Sequence, residues 1–183
     1  MKESTIYSIG HGNKEIDDFI NELKSYGILY LLDVRSKPYS SRNIMYNREA
    51  IKRALKMEGI TYAFFGDKLG GLPKDRSCYD EEGKVRYDLI KEKGFFKEGM
   101  QRLLNAQKKG IKVAVMCSES KPEQCHRSKL IGQELLKKEI SMKHIVSDSV
   151  IKSQETVMSE LTKGKSTSDL FGIEINLTSK KSY

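Results

Sequence analysis

The chain has 183 residues, of which 38% are hydrophobic and 32% are charged, and its formal net charge is +8. This length fits one domain with a sizeable core, and the recurring apolar segments exclude a disordered protein. No stretch is long enough to span a membrane and no signal-peptide pattern precedes the first strand-like segment, so we expect a cytoplasmic protein that does not bind membranes. Three cysteines, an odd number in a chain without an export signal, indicate free thiols.

The positive charge lies ahead of Ser147, because lysines and acidic residues balance from there to Tyr183. A basic protein body favours an anionic partner such as a nucleotide or a nucleic acid. A lysine-rich, solvated surface that binds nothing is the alternative. Composition and charge leave the oligomeric state open.

Short apolar segments alternate with segments of helical periodicity along the chain. The apolar segments predict five strands, at residues 5–9, 28–32, 60–65, 113–116 and 142–146. Helical spacing of apolar residues recurs between them, as in Ile16, Phe19, Ile20 and Leu23. This alternation predicts an α/β fold, with a mostly parallel five-stranded sheet and helices on both faces.

Two regions depart from this alternation. Residues 66–86 form the longest irregular stretch, which is typical of a functional lid or of disorder. After Ser147, the spacing of Val150, Val157 and Leu161 predicts one more helix. The Lys/Ser/Thr-rich tail from Thr162 onward is expected to be partly ordered at best.

Polar clusters follow four of the five predicted strands. The clusters are His11, the pair Asp33 and Arg35, the loop 66–71, and the run Cys117, Ser118 and Glu119. The carboxyl ends of parallel strands lie along one edge of a sheet, so these clusters are predicted to meet at one crevice, where such sheets bind ligands. The alternative is that they only cap strands or form surface ion pairs.

The residue types in these clusters suggest catalytic roles. Glu119 or Asp33 is the candidate nucleophile or general base, and His11 or His126 would transfer the proton. A different set is suited to bind substrate, because guanidinium groups hold anions and glycines let backbone N–H groups approach a phosphate. The candidate substrate-binding residues are Arg35, Arg42, Gly70, Gly71, Cys117 and Arg127.

Other site types match the sequence less well. Cysteine phosphatases place an arginine six positions after the nucleophile, but that position relative to Cys117 is Glu123. Zinc bound by Cys117, Cys125, His126 and His11 is an alternative. The Cys-x7-Cys-His spacing of the first three residues matches no common zinc motif, however, so the sequence predicts no metal site. Glycine-rich nucleotide loops and the P-loop are absent, so no cofactor is predicted.

The co-occurring motifs resemble the family catalogued as domain of unknown function 488. The matching motifs include Ser8-Ile9-Gly10-His11, Leu32-Asp33-Val34-Arg35, Leu69-Gly70-Gly71, Met116-Cys117-Ser118-Glu119 and Cys125-His126-Arg127. The resemblance implies a single Rossmann-like α/β domain over residues 1–149 with a shared polar crevice. It leaves residues 150–183 as a C-terminal helix and a partly ordered tail, and it implies no established reaction.

Three functions fit these observations. The first is a hydrolase-like enzyme that acts on a nucleotide or nucleic acid, and the second is a non-catalytic module that binds such a ligand. The third is purely structural, with Asp33, Arg35, Glu119 and Arg127 as an ion-pair network that closes the edge of the sheet. Replacing Glu119 would abolish turnover in the first case and would leave binding intact in the second.

Overall fold

The computed structural model describes residues 3–166 and 177–183. Its strands are β1 (Ile6–Gly10), β2 (Tyr30–Asp33), β3 (Thr61–Phe64), β4 (Lys84–Arg86), β5 (Val113–Cys117), β6 (Lys143–Ile145), β7 (Ile151–Ser153) and β8 (Thr178–Ser182). Six of them form one sheet in the order β3-β2-β5-β1-β6-β7, and β4 pairs with β8 in a separate antiparallel ribbon. Within the large sheet all pairings are parallel except that of β7 with β6.

Helices cover both faces of the large sheet. They are α1 (Ile16–Ser25), α2 (Arg48–Met57), α3 (Gly66–Leu69), α4 (Tyr87–Lys91), α5 (Gly94–Lys108), α6 (Gln133–Leu136) and α7 (Gln154–Thr162), with a π-helical segment, Arg127–Gly132, directly before α6. None of the helices in the described ranges is both long enough and apolar enough to cross a membrane.

Strand β5 connects two hydrophobic cores. Val113 and Val115 pack on one face with residues of α5 and α6, whereas Ala114 and Met116 pack on the other face with residues of α1 and α2. A strand buried on both faces needs apolar residues at every position, which explains the uninterrupted apolar run. The prediction of a single Rossmann-like α/β domain is therefore confirmed.

The sheet has one strand more than predicted. The five predicted strands are all present, and the sixth, β7, lies at the edge, where Ile151 pairs with Ile145. The three residues of β7 are too few to show strand alternation, so the sequence pattern indicated only the helix that follows. That helix, α7, is capped by Ser153, whose hydroxyl accepts a hydrogen bond from the backbone N–H of Thr156 at 3.2 Å.

The irregular region and the tail meet in the small ribbon. Residues 66–86 contain α3, a 3₁₀ turn at Arg76–Cys78 and β4, and β4 pairs with β8 from the end of the chain. The predicted tail thus contributes a strand from residue 178 onward, while residues 167–176 lie outside the described ranges. The pairing partner of β4 is more than 90 residues away in sequence, so no local pattern indicates it.

His144 on β6 is a wholly buried, neutral histidine. Its Nδ1 accepts a hydrogen bond from the Ser8 hydroxyl at 2.7 Å, and its Nε2 donates to Gln154 Oε1 at 2.8 Å. Each ring nitrogen has one partner, which satisfies the neutral imidazole. Burial lowers the pKa of His144 to about 4.

We expect the free energy of unfolding to decrease as the pH falls from about 6.5 towards 4. In this window the unfolded histidine takes up a proton and the folded one does not, so acid favours unfolding by up to about 3 kcal/mol. Urea unfolding of wild type and His144→Asn at several pH values between 7 and 4 measures the effect. The variant should show a shallower pH dependence, and equal slopes would contradict the assignment.

Candidate functional site

The carboxyl ends of β1, β2 and β5 border a cleft of about 460 Å³. These three strands are neighbours at the centre of the sheet, so the loops that follow them meet there. Six of the ten predicted site residues line the cleft: His11, Arg35, Gly71, Cys117, Glu119 and His126. A side pocket of about 420 Å³ opens beside it and shares His11 and Glu119 with the cleft.

A larger cavity, of about 580 Å³, shares Tyr87 and Ser179 with the cleft and contains none of the predicted site residues. It is bordered by α4, α6 and α7, and by Lys165 and Leu177. Those two residues flank the part of the chain that the structure does not describe. We therefore base the candidate site on the cleft, where the polar side chains converge.

Asp33 lies beneath the cleft rather than in its wall. Its carboxylate has no exposed surface and accepts hydrogen bonds from Arg35 Nε at 2.9 Å, from Arg35 Nη2 at 2.6 Å and from the Tyr62 hydroxyl at 2.7 Å. Asp33, predicted as a nucleophile or base, therefore does not line the cleft, and its contacts fix the Arg35 guanidinium at the cleft.

His11 is held in one orientation next to Arg35. Its ring stacks on Tyr46 with the centroids 4.1 Å apart, and its Nδ1 donates to the Gly12 carbonyl at 2.9 Å, so Nε2 is left to accept from Arg35 Nη1 at 3.4 Å. Burial and the nearby charge of Arg35 lower the pKa of His11 to about 4. His11 is thus neutral at pH 7, which suits it to orient Arg35 and makes it a poor proton donor.

Arg127 is buried under the cleft and does not line it. Only 1% of the residue is exposed, and its guanidinium donates to Cys125 Sγ at 3.2 Å, to the Ser8 hydroxyl at 3.2 Å and to the Glu119 carbonyl oxygen. These contacts connect β1, the loop after β5 and the π-helical segment. Arg127, predicted to bind substrate, thus does not line the described cleft wall and instead joins these three parts of the chain.

The remaining predicted binding residues fall in three different places. Arg42 is exposed and lines the side pocket rather than the cleft. A Cβ atom at Gly70 would lie 2.2 Å from the Gly66 carbonyl oxygen and 2.5 Å from Ser36 Oγ, and one at Gly71 would lie 2.9 Å from the His126 ring. The close approach of these groups requires glycine at both positions.

Two cysteines and a histidine form a cluster on the cleft wall. Cys117 ends β5, and Cys125 and His126 directly precede the π-helical segment. Sγ of Cys117, Sγ of Cys125 and a ring nitrogen of His126 all lie within 4.8 Å of one another, close enough to be considered as metal ligands. The three cysteines of the chain are free thiols, as expected.

The two thiols of this cluster differ in acidity. Burial raises the pKa of Cys125, but the hydrogen bond from Cys117 and the charge of Arg127 outweigh burial and bring it well below the ordinary value. The hydrogen bond to Cys125, together with burial, raises the pKa of Cys117 well above its ordinary value. The same contacts thus shift the pKa values of the two thiols in opposite directions.

The charged residues of the described cleft wall are mostly cationic. Arg35, Lys37, Lys180 and Lys181 face one carboxylate, Glu119. Lys180 and Lys181 come from β8. The sequence did not connect them with the site, because acidic residues after Ser147 balance the positive charge of this part of the chain. The basic pair Lys180-Lys181, close to Tyr183, was the available signal.

Residues 15–133 match the family model described as domain of unknown function DUF488. The chain belongs to this family. The DUF488 match spans β2, β5 and the Cys117–Cys125–His126 cluster, whereas β6, α7 and the cleft residues on β8 follow the matched segment. No curated protein and no solved structure was found to match the chain.

Proposed function

We propose that this DUF488 protein is a hydrolase-like enzyme that binds a nucleotide, or the end of a nucleic acid, in the cleft. The observation that carries the proposal is the charge of the described cleft wall, with Arg35, Lys37, Lys180 and Lys181 against Glu119. Although Asp33 balances the charge of Arg35, the three lysines outnumber Glu119, and this positive charge favours a ligand with a phosphate or a similar anionic group. Arg35 is the best placed of the four, because Asp33 and His11 fix its orientation.

Aromatic side chains next to these cations support a nucleotide over a small inorganic anion. Tyr39 and Tyr183 both line the cleft, and they are 68% and 55% exposed. An exposed aromatic ring beside a cationic groove is a suitable surface for stacking a nucleobase. The volume of about 460 Å³ lies within the range of small-molecule sites.

Glu119 is the residue that we propose as general base. It lines both the cleft and the side pocket, and its carboxylate makes a single, long hydrogen bond among the described residues, from the Lys121 backbone N–H at 3.4 Å. Its oxygens are thus available to accept a proton from an attacking water.

Glu119→Gln is expected to keep ligand binding and to reduce turnover about 10²- to 10⁴-fold. A thermal-shift screen of wild type and variant against nucleotides, nucleosides and short single-stranded oligonucleotides identifies the ligand, because a ligand that binds the folded state raises the melting temperature. Nucleotides should give a larger shift than their nucleosides, and chromatography should detect product with wild type only. Glu123→Gln, in the same loop but off the cleft wall, is the matched control and should behave like wild type.

A non-catalytic binding module is the second candidate, and one observation favours it. Because Asp33 is sealed beneath Arg35, Glu119 is the one carboxylate on the described cleft wall, so no pair of carboxylates is available for acid–base catalysis. This candidate predicts equal and lasting stabilisation of wild type and Glu119→Gln by the same nucleotide, without product. Stabilisation by no compound of the panel would contradict both candidates.

A further inference from the structure

The Cys117–Cys125–His126 cluster has the dimensions of a metal site. Cys125 Sγ and His126 Nδ1 are 3.6 Å apart. Sulfur and nitrogen ligands of one tetrahedral zinc ion, at about 2.3 Å and 2.0–2.1 Å from it, are about 3.6 Å apart. The two sulfurs of such a site are about 3.8 Å apart. The ligand atoms of the cluster lie within 4.8 Å of one another, so they would have to move closer together by about 1 Å at most to bind one ion.

A second observation concerns the other ring nitrogen of His126, which does not face Cys125. His126 is 7% exposed, and its Nε2 is buried without a hydrogen-bond partner among the described residues. Buried polar nitrogens in native proteins are normally paired, and an exception calls for a water or an ion. His126 also lines the cleft, so a water in the cleft is a suitable partner for Nε2 while Nδ1 is the nitrogen placed to bind a metal.

We propose that Cys117, Cys125 and His126 bind a divalent metal ion that prefers sulfur and nitrogen ligands, with zinc as the first candidate. Two thiolates and one imidazole suit zinc, whereas magnesium and calcium prefer oxygen ligands. Cys117 is fixed by β5, and the other two ligands stand at the start of the helical segment 126–136, so the ligands are placed by regular structure rather than by a loose loop. The irregular Cys-x7-Cys-His spacing explains why no zinc motif is recognised in the sequence.

The fourth coordination position would face the cleft, because all three ligands line it. Three protein ligands and one open position are characteristic of catalytic rather than structural zinc. The catalytic use of the ion rests on the proposed function, in which it would polarise water or the anionic group of the substrate next to Glu119. The metal site itself rests only on the ligand geometry.

Arg127 is compatible with this site. Its Nε donates to Cys125 Sγ at 3.2 Å, and hydrogen bonds of this kind orient metal ligands from behind. Metal binding releases the thiol protons, and two thiolates beside one guanidinium then carry a net charge of −1, which suits a divalent cation despite the arginine.

Titration of the full-length protein with Co²⁺ tests the site directly. After treatment with a chelator, wild type is expected to bind one equivalent of Co²⁺ with the absorption bands of tetrahedral, thiolate-ligated cobalt, and Zn²⁺ should displace it. Cys125→Ser and His126→Asn should weaken binding at least about 100-fold. Cys78→Ala is the matched control, because Cys78 is buried in the hydrophobic core outside the cluster, and it should bind like wild type.

A labelling experiment on wild type covers the case in which variants fail to fold. Zn²⁺ should slow alkylation of Cys117 and Cys125 at least 10-fold and leave that of Cys78 unchanged. Absence of thiolate–cobalt bands in wild type, their persistence in folded Cys125→Ser, or alkylation of Cys125 that Zn²⁺ does not slow would overturn the proposal. A cobalt site without any nucleotide binding would instead refute the proposed function and leave the metal site standing.

Discussion

Replacing Arg127 with alanine is expected to lower the free energy of unfolding by about 3–5 kcal/mol. Arg127 is the largest side chain that is fully buried in the described chain. Its removal leaves a large cavity and deprives the Ser8 hydroxyl, the Glu119 carbonyl and Cys125 of their donor. Each buried acceptor without a donor adds about 1–3 kcal/mol, and the cavity adds to this loss.

Arg127→Lys should recover only part of the loss, because one ammonium group cannot replace three donors that point in fixed directions. Arg42→Ala is the matched control, since Arg42 is exposed, and it should change the free energy of unfolding by no more than about 0.5 kcal/mol. Urea denaturation of the three variants measures these differences. Wild-type stability of Arg127→Ala would contradict the structural role that we assign to this residue.

Asp33→Asn is expected to destabilise the protein by about 3–5 kcal/mol, because it breaks a buried ion pair and leaves Arg35 without its counter-charge. The amide also presents a donor where the carboxylate accepts from Arg35 and Tyr62. Arg35 should then lose its fixed orientation, so the melting-temperature shift caused by a bound nucleotide should decrease as well.

Tyr62→Phe separates the ion pair from its neighbour. It removes one hydrogen bond to the carboxylate, at a cost of about 1.5–3 kcal/mol, and leaves the contacts between Asp33 and Arg35 in place. We expect it to keep ligand binding. If Asp33→Asn proves as stable as wild type and loses only turnover, Asp33 is a catalytic base, as the sequence suggested, and the positioning role is wrong.

Sequence patterns were sufficient for the large sheet and for the location of the cleft. The apolar run at Val113 and the four polar clusters after strands depend on local sequence, since a strand buried on both faces must be apolar and must become polar where it leaves the core. Six of the predicted residues line the cleft for this reason. The sequence by itself thus determined the fold class and the edge of the sheet that carries the site.

The roles of single residues depended on contacts between distant parts of the chain. Asp33, a candidate nucleophile or base, and Arg127, a candidate substrate-binding residue, are both buried off the cleft wall. Packing decides whether a charged side chain faces solvent or a partner, and packing has no local sequence pattern. Pairing of β4 with β8 placed Lys180 and Lys181 on the cleft wall. The approach of Cys117 to Cys125 and His126 was likewise decided only by the tertiary structure, since a β-strand end and a helix start come together through the fold and not through a fixed spacing.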